Sequence, residues 1–319
     1  MSSLKQILVL GGTGFVGRAV CQRLAEVWPS TRVRVPTRRP LRGNSVRFLP
    51  NVDLLQADVH DEASLRRLLT GCDAVVNLVA ILHGSAAAFE QVHVALPRKL
   101  AQACQAAGVR RLVHVSALGV GPDAPSNYLR SKTAGEAVLT AAGLDLTVLR
   151  PSVIFGVDDR FLNLFAQLQA VAPVFPLAGG EARFQPVWVQ DVAQGVVAAL
   201  MQRSSIGQVI ECAGPDVLTL AELVRLAGRW AGVERPQIPL PSAIGRLQAT
   251  LMEWLPGEPL MSRDNVDSMR VPNVASGKLP GLQALGVKPA ALQAVAPGYL
   301  GRHQGVARLD LWRRVARRD

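Results

Sequence analysis

Residues 7–17 read ILVLGGTGFVG, four aliphatic residues that run into a glycine-rich turn. The aliphatic run predicts a short buried strand, and the helical spacing of Val20, Leu24 and Val27 predicts a helix directly after the turn. Glycines at 12, 14 and 17 suit a chain that turns tightly, approaches a pyrophosphate and packs a helix onto a strand. The helix N-terminus then offers N–H groups to an anion. The motif predicts a dinucleotide site, and an ordinary glycine-rich turn is the alternative.

Strand-like and helical segments alternate through the first half of the chain. Short apolar runs predict strands at 7–10, 32–35, 53–56, 74–79, 111–115 and 145–149. Helical patterns separate most of them, as at 63–69 and 97–107. Strands that alternate with helices predict an α/β fold with a doubly wound parallel Rossmann sheet. We expect residues 1–155, completed by about 184–204, to form the dinucleotide-binding domain, and residues 156–183 and 205–319 to form a smaller interleaved C-terminal lobe.

Composition excludes several classes of protein. The net charge of +11 comes from basic residues that are scattered along the chain, which does not favour a specific nucleic-acid binder. The four cysteines lie far apart and no histidine pair has metal-ligand spacing, so reduced thiols, a cytoplasmic location and no metal site are expected. No apolar run reaches the ~18 residues of a transmembrane segment. Four of the five histidines, at 60, 83, 93 and 114, are expected at the surface or at a sheet edge, and Asp191 is expected to cap a helix.

The end of the second predicted strand bears on the choice of nucleotide. An NAD site places an acidic residue there for the ribose hydroxyls, whereas an NADP site places arginine. Here the chain reads Thr37-Arg38-Arg39, and no acidic residue occurs between Glu26 and Asp53. Guanidinium groups bind a 2′-phosphate through paired, charge-assisted hydrogen bonds. NADP(H) is therefore favoured and NAD(H) is the alternative.

Tyr128 and Lys132 stand one helical turn apart, after a loop that follows the strand ending near Ser116. A neighbouring ammonium and an oxidised nicotinamide favour the phenolate form of tyrosine and bring its pKa towards neutral pH. The three residues are therefore the candidate catalytic group, with Tyr128 exchanging a proton and Ser116 holding the substrate oxygen. The alternative is that the pair binds the nucleotide without turning over any substrate.

Five motifs occur in order: GGTGFVG, HVSALG, Tyr128-x-x-x-Lys132, LRPSVIFG at 149–156 and PVWVQDVA at 186–193. With them the chain resembles an extended or atypical short-chain dehydrogenase/reductase. Three further stretches resemble the branch that contains the nucleotide-binding accessory subunits of respiratory complex I, alpha subcomplex subunit nine. They are SNYLRSKTAGE at 126–136, FGVDDRFLN at 155–163 and QPV at 185–187.

The resemblance implies a tightly held NADPH and a position for each part of it. It puts the phosphates at Gly11, Thr13, Gly14, Phe15 and Val16, the 2′-phosphate at Arg38 and Arg39, and adenine near Asp58 and Val59. It puts the ribose and nicotinamide along Val79, Ala80, Ser116, Tyr128, Lys132, Pro151, Ser152 and Val153.

Two functions stay open from the sequence. One is an accessory or assembly protein linked to respiratory complex I or ubiquinone metabolism, with respiratory or quinone-pathway partners and a position peripheral to the inner (cytoplasmic) membrane. The other is a catalytically active NADP(H)-dependent oxidoreductase or epimerase/dehydratase that uses Tyr128 and Lys132. The basic stretch 309–318 suits docking to anionic lipid or to an acidic partner, and it equally suits a solvated tail.

Overall fold

The computed structural model describes residues 4–40, 44–241, 244, 245, 247, 250 and 262–301. The chain divides into two compact units. The sheet unit consists of Met1–Pro151, Val189–Cys212 and Ala275–Lys288, and the second unit of Ser152–Trp188, Ala213–Val274 and Pro289–Asp319. The basic stretch 309–318 lies outside the described residues.

The first stretch of the sheet unit alternates strands with helices. Its strands are β1 (Gln6–Leu10), β2 (Arg32–Thr37), β3 (Val52–Gln56), β4 (Ala74–Asn77), β5 (Arg111–Val115) and β6 (Asp145–Pro151). Its helices are α1 (Phe15–Val27), α2 (Asn44–Arg47), α3 (Glu62–Leu69), α4 (Ala86–Glu90), α5 (Leu96–Ala107) and α6 (Asn127–Ala141). A π-helical turn, Gln91–Ala95, joins α4 to α5.

The rest of the chain contributes segments to the two units in alternation. The second unit begins with β7 (Ile154–Phe155), α7 (Leu162–Val171), β8 (Phe175–Ala178), β9 (Arg183–Phe184) and β10 (Val187–Trp188). The sheet unit resumes with α8 (Val189–Met201), a 3-10 turn (Arg203–Ser205) and β11 (Val209–Cys212). The second unit continues with β12 (Leu218–Thr219), α9 (Leu220–Ala231), β13 (Gln237–Leu240), α10 (Arg263–Ser268) and α11 (Leu292–Leu300). A 3-10 turn at Leu282–Leu285 belongs to the sheet unit.

The sheet unit is built on seven parallel strands in the order β11-β6-β5-β4-β1-β2-β3. The chain winds outwards from β1 in one direction and from β4 in the other, so the order reverses between these two strands. In such sheets, ligands bind beyond the carboxyl ends of the strands at this reversal. The Rossmann-type architecture predicted from the sequence is confirmed.

Apolar side chains on both faces of the sheet explain why the strands are buried. Residues 7–10 of β1 are all fully buried. Leu8 and Leu10 pack in one cluster with Leu65 of α3 and Leu100 of α5. Helices α1 and α8 pack against each other, as do α3 and α5. The strands and helices that alternate along the sequence therefore form separate layers, with helices packed against the sheet.

The second unit has its own core and its own short sheets. Strands β7 and β10 pair in parallel, β8 pairs with β13, and β9 with β12. Phe155, Phe165 and Leu223 lie in the core. The Asp159 carboxylate accepts backbone N–H bonds at the start of α7 and a 2.8 Å hydrogen bond from the Tyr299 hydroxyl.

Two local expectations differ from the structure. Residues 209–212, assigned from the sequence to the smaller lobe, form β11 of the main sheet beside β6. Asp191 does not cap a helix: α8 begins at Val189, so Asp191 lies in its first turn and is buried. Both depend on where the chain returns to the sheet, which local sequence does not report. In the described part of the chain, no helix is long and apolar enough to cross a membrane.

Candidate functional site

The glycine loop joins β1 to α1 at the carboxyl end of the sheet. Gly11 has a φ of +80°, a conformation that favours glycine, and the Gly14 N–H donates a 3.0 Å hydrogen bond to the Gly11 carbonyl. A Cβ atom on Gly17 would lie 2.2 Å from that carbonyl oxygen. Glycine is therefore required at 17, because α1 could not otherwise lie so close to the loop.

The N-terminus of α1 is suited to an anion. Gly14 is its N-cap and is exposed, and no side chain in the described part of the protein caps the helix. The first N–H groups of an α-helix have no partner within the helix, and those of Phe15, Val16 and Gly17 are in this position. Its first turn contains no acidic residue. Thr13, in the turn itself, is half-buried. The loop therefore has the open N–H groups and the closeness of backbone that a pyrophosphate needs.

The arginines around β2 fall into two groups. Arg32 forms a 2.6 Å salt bridge with Asp53. Arg34 donates hydrogen bonds of 3.0 and 2.8 Å to the carbonyls of Leu68 and Thr70. The guanidinium groups of both arginines are thus bound to other residues of the sheet unit.

Arg38 and Arg39 follow the end of β2 and are exposed. The backbone N–H of Arg39 bonds the Thr37 hydroxyl at 3.2 Å. Neither guanidinium forms a salt bridge with any residue that the structure describes. These two side chains are therefore available to a bound anion.

The loops after β3 and β4 provide the predicted adenine and ribose residues. The carboxylate of Asp58 accepts a 3.0 Å bond from the His60 N–H. Val59 and Val79 are half-buried against the apolar core of the sheet unit, and Ala80 is exposed. The Val79 N–H bonds the Asn77 side chain at 3.2 Å. Both loops follow the carboxyl ends of strands of the sheet.

Ser116 directly follows β5 and is only 4% exposed. Its backbone N–H bonds the Leu149 carbonyl at 2.7 Å. Its Oγ atom is buried and has no hydrogen-bond partner among the described residues. Because a buried hydroxyl without a partner costs free energy, this atom is a good candidate to bind a ligand.

Tyr128 and Lys132 lie on α6, whose N-cap is Ser126. Lys132 is 2% exposed, and its ammonium donates a 2.8 Å hydrogen bond to the Val115 carbonyl. Burial lowers the pKa of Lys132 to about 8, and the nearby Glu136 opposes this shift. Burial raises the pKa of the half-buried Tyr128 to about 12. In the protein alone, burial thus shifts the pKa of the phenol away from neutral pH, opposite to the direction expected from the sequence.

His93 is a site residue that the sequence analysis missed. It is buried, and its ring lies edge-on to that of Tyr128, with centroids 5.5 Å apart. Its Nε2 atom accepts a 3.2 Å bond from the Ile81 N–H, so Nδ1 carries the proton and donates to the Ser131 hydroxyl. Burial, followed by the charge of Lys132, lowers the pKa of His93 to about 3. His93 is therefore neutral at physiological pH.

The expectation of surface histidines was wrong for His93 and for His114. His114 lies within central strand β5, where its Nδ1 accepts a bond from the Asn77 amide at 3.2 Å. Burial lowers its pKa well below the usual value. The signal was present in the sequence. His114 occupies an apolar strand pattern, and His93 has helical spacing to Phe89, which is also buried.

The residues at the end of β6 and directly after it separate into two groups. In the sheet unit, the Arg150 Nε atom donates to both carboxylate oxygens of Glu136 of α6, at 3.1 and 3.2 Å. The Pro151 carbonyl accepts a hydrogen bond from the Leu118 N–H. Ser152 and Val153 belong to the second unit. There, the Ser152 hydroxyl and the Val153 N–H both bond the Asn273 side chain, at 2.7 and 2.8 Å.

Several features of this site fit a dinucleotide. They are the close approach of α1 to the glycine loop, the two available arginines after β2, and the buried Ser116 hydroxyl. The described residues contain no cluster of side chains that could hold a metal ion.

The chain is similar in sequence to a known protein family and to individual proteins of other organisms. Residues 7–213 match the model of the NAD dependent epimerase/dehydratase family. The chain is 32% identical over 303 residues to the mitochondrial NADH dehydrogenase [ubiquinone] 1 alpha subcomplex subunit 9 of Mus musculus, covering 93% of this chain and 80% of the mouse protein. It is 31% identical over 239 residues to a ceramide reductase of Caulobacter vibrioides, covering 74% of this chain and 73% of that protein.

Solved structures share the fold. A NADPH-dependent quinone oxidoreductase of Escherichia coli, complexed with NADPH, superposes with a TM-score of 0.74 at 20% identity, over 92% of this chain and 99% of the other. A UDP-glucuronic acid 4-epimerase of Bacillus cereus, in complex with NAD, superposes with a TM-score of 0.66 at 20% identity, over 83% of this chain and 100% of the other. At these identities the likeness extends to the fold alone.

Proposed function

Because the chain belongs to the NAD dependent epimerase/dehydratase family and is 32% identical to subunit 9 of the complex I alpha subcomplex of Mus musculus, we propose that it is a nucleotide-holding protein. It binds NADP(H) tightly and has an accessory or assembly role linked to respiratory complex I or to ubiquinone metabolism. Its partners are respiratory or quinone-pathway proteins at the membrane surface, where the protein is peripheral.

The preference for NADP(H) rests on one observation. Arg38 and Arg39 are exposed after β2 and have no salt bridge among the described residues, whereas Arg32 and Arg34 are held within the fold. A 2′-phosphate would give the two free guanidinium groups a charge-assisted partner. The ribose hydroxyls of NAD would leave them without one.

The other candidate residues would contact the remaining parts of the cofactor. Gly11, Thr13, Gly14, Phe15, Val16 and Gly17 would hold the pyrophosphate, with Thr37 beside the arginines. Asp58 and Val59 would lie near adenine, and the remaining candidate residues along the ribose and nicotinamide. The bound nicotinamide supplies the capacity to give or accept a hydride. The buried Ser116 hydroxyl would hydrogen-bond the substrate oxygen, and the buried Lys132 ammonium would contribute a further hydrogen-bond donor.

An accessory role is favoured over turnover by the state of Tyr128. A general acid or base works best when its pKa is near the operating pH. Burial raises the pKa of Tyr128 to about 12, further from neutral pH than its usual value of ~10. The 32% identity to the complex I subunit over 80% of its length supports the same reading.

A catalytically active oxidoreductase is the second candidate. The observation that favours it is the buried Ser116 hydroxyl, which has no hydrogen-bond partner among the described residues. Ser116 directly follows Val115, whose carbonyl accepts the hydrogen bond from the Lys132 ammonium. The similarity to a ceramide reductase supports it. In this reading, Tyr128 would move a proton at its hydroxyl oxygen, and bound cofactor and substrate would lower its pKa.

The decisive experiment is to denature the purified protein and to identify and quantify the released nucleotide by chromatography and mass analysis. We expect NADP⁺ or NADPH close to one per chain. A protein that releases only NAD(H) would contradict the proposed preference. Protein without nucleotide, even after incubation with NADPH and gel filtration, would contradict tight binding.

A further inference from the structure

Strand β3 forms one edge of the main sheet, two strands away from β1 at the switch point. The Val33 N–H bonds the Asn51 carbonyl, and the Ala57 N–H bonds the Thr37 carbonyl. Because successive residues of a strand face alternately towards and away from the neighbouring strand, the backbone groups of Leu54 and Gln56 face outwards. No hydrogen bond to these outward groups occurs among the described residues. The edge can therefore accept a further strand.

A groove of about 740 Å³ runs beside this edge, between β3 and α3. All five residues of β3 line it, together with Ser64, Arg67 and Leu68 of α3. None of the residues assigned to the dinucleotide lines it. The groove is therefore a separate surface from the candidate site.

The groove is strongly basic. Its charged lining residues are Arg32, Arg34, Arg47, Arg67 and Asp53. Asp53 is the single acid among them and is paired with Arg32. Arg47 and Arg67 are exposed, so their charges meet solvent or a partner.

Phe48, next to Arg47 in the chain, is 83% exposed. An exposed aromatic side chain beside basic residues is typical of a protein-binding surface, because aromatic residues and arginines are enriched at such surfaces.

We propose that the β3 edge docks an extended, acidic segment of a partner protein, which adds a strand to the sheet. Main-chain hydrogen bonds to Leu54 and Gln56 would provide affinity, and carboxylates facing Arg47 and Arg67 would provide specificity. A second copy of this chain is a poor occupant, since its β3 edge carries the same positive charge. A nucleic acid would meet the arginines but has no peptide groups to pair with the strand.

The proposal is tested with two blocked octapeptides, one of alternating Glu and Val and one of alternating Lys and Val. Binding to the full-length protein is measured by fluorescence anisotropy at 0.05 and 0.15 M salt, and hydrogen exchange is followed by mass spectrometry. We expect the Glu peptide to bind more tightly than the Lys peptide by at least about tenfold, to weaken with salt, and to slow exchange within 52–57. Equal binding of both peptides, protection confined to other segments, or no binding at 1 mM would overturn the proposal.

Charge-reversal variants locate the contact. Arg47→Glu combined with Arg67→Glu should weaken binding of the Glu peptide by at least about tenfold. The matched control is Arg98→Glu combined with Arg203→Glu, which reverses two exposed arginines of the sheet unit outside the groove. Equal losses in the two variants would overturn the assignment to this edge. If the groove variant does not fold, as judged by circular dichroism, Arg47→Gln replaces it with the same comparison.

An eight-residue oligothymidylate tests the remaining class of partner. We expect it to bind more weakly than the Glu peptide and to leave exchange within 52–57 unchanged. Tighter binding of the oligonucleotide, with protection of that segment, would overturn the proposal in favour of a nucleic acid.

Discussion

The Nδ1 atom of His93 lies 2.8 Å from the Oγ atom of Ser131, and the Ser131 hydroxyl in turn donates to the Tyr128 carbonyl. The histidine therefore links the π-helical turn to α6 at the residue that bears the candidate phenol. Through its Nε2 atom it also holds the Ile81 N–H, directly after Val79 and Ala80. A Cβ atom on Gly135 would lie only 1.9 Å from the His93 carbonyl oxygen, so α6 and the turn pack as closely as a glycine permits.

This buried histidine should make stability depend on pH. The pKa of His93 is about 3 in the fold, whereas an unfolded histidine has a pKa of ~6.5. Between these values the unfolded chain binds a proton that the folded chain does not. The contribution of His93 to the free energy of unfolding is therefore fully present above pH 6.5. It decreases as the pH falls towards 3, by at most ~1.4 kcal/mol per pH unit for this one group.

His93→Gln keeps a donor and an acceptor but removes the titration. We expect the free energy of unfolding, measured in urea at pH 7, 6 and 5, to fall less steeply in this variant than in the wild type, while His114 still contributes. His60→Gln, at a half-buried histidine outside this cluster, is the control. The same slope in wild type and His93→Gln would contradict the assignment.

Arg38→Ala combined with Arg39→Ala should weaken NADPH binding far more than NADH binding. Only the 2′-phosphate loses its charge-assisted partners, each worth ~1.5–3 kcal/mol. Calorimetric titration with both nucleotides measures the difference. Arg32→Ala is the matched control, because Arg32 is bound to Asp53. Equal losses of affinity for the two nucleotides would count against an NADP site.

Tyr128→Phe should separate the two candidate functions, because it removes only the phenolic oxygen. For a nucleotide-holding protein, we expect the variant to retain bound NADPH and to complement a deletion strain as well as the wild type. For an enzyme, turnover of its substrate should fall by ~10²–10⁴ with nucleotide binding nearly unchanged. Failure of complementation by a variant that still holds NADPH would contradict the accessory role.

Substitutions at two glycines of the loop should have different effects. A Cβ atom at 17 would lie 2.2 Å from the Gly11 carbonyl oxygen, so Gly17→Ala should lower the melting temperature and abolish nucleotide binding together. At Gly14 the nearest atom would be 3.2 Å away, and the residue is exposed. Gly14→Val should therefore leave the fold nearly intact but remove the nucleotide.

The control for both is Gly121→Ala, where a Cβ atom would meet nothing within 4 Å. Melting curves and quantification of released nucleotide provide the readouts. A Gly17→Ala protein that keeps its nucleotide would show that α1 can move away without cost, contrary to the close packing.

Local sequence patterns predicted the parts of the molecule that local interactions build. The β1 strand, the glycine loop and α1 follow directly from 7–17, and α9 begins at a local capping box formed by Thr219 and Glu222. Tyr128 and Lys132 share α6, as a spacing of four residues requires. Such features depend on neighbours within a few residues, so the sequence reports them.

Long-range packing decided the rest. The sequence alone shows six arginines from 32 to 47, but only the fold shows that Asp53 and the end of α3 occupy Arg32 and Arg34 and leave Arg38 and Arg39 available. Burial of Tyr128 and His93 sets their pKa values, and it arises from segments distant in the chain. Likewise, residues 209–212 complete the main sheet because β6 is their partner. The sequence thus determined a dinucleotide-binding fold from local periodicity and turn chemistry, whereas only the tertiary structure decided which side chains remain free, neutral or buried, since those properties depend on what packs around each one.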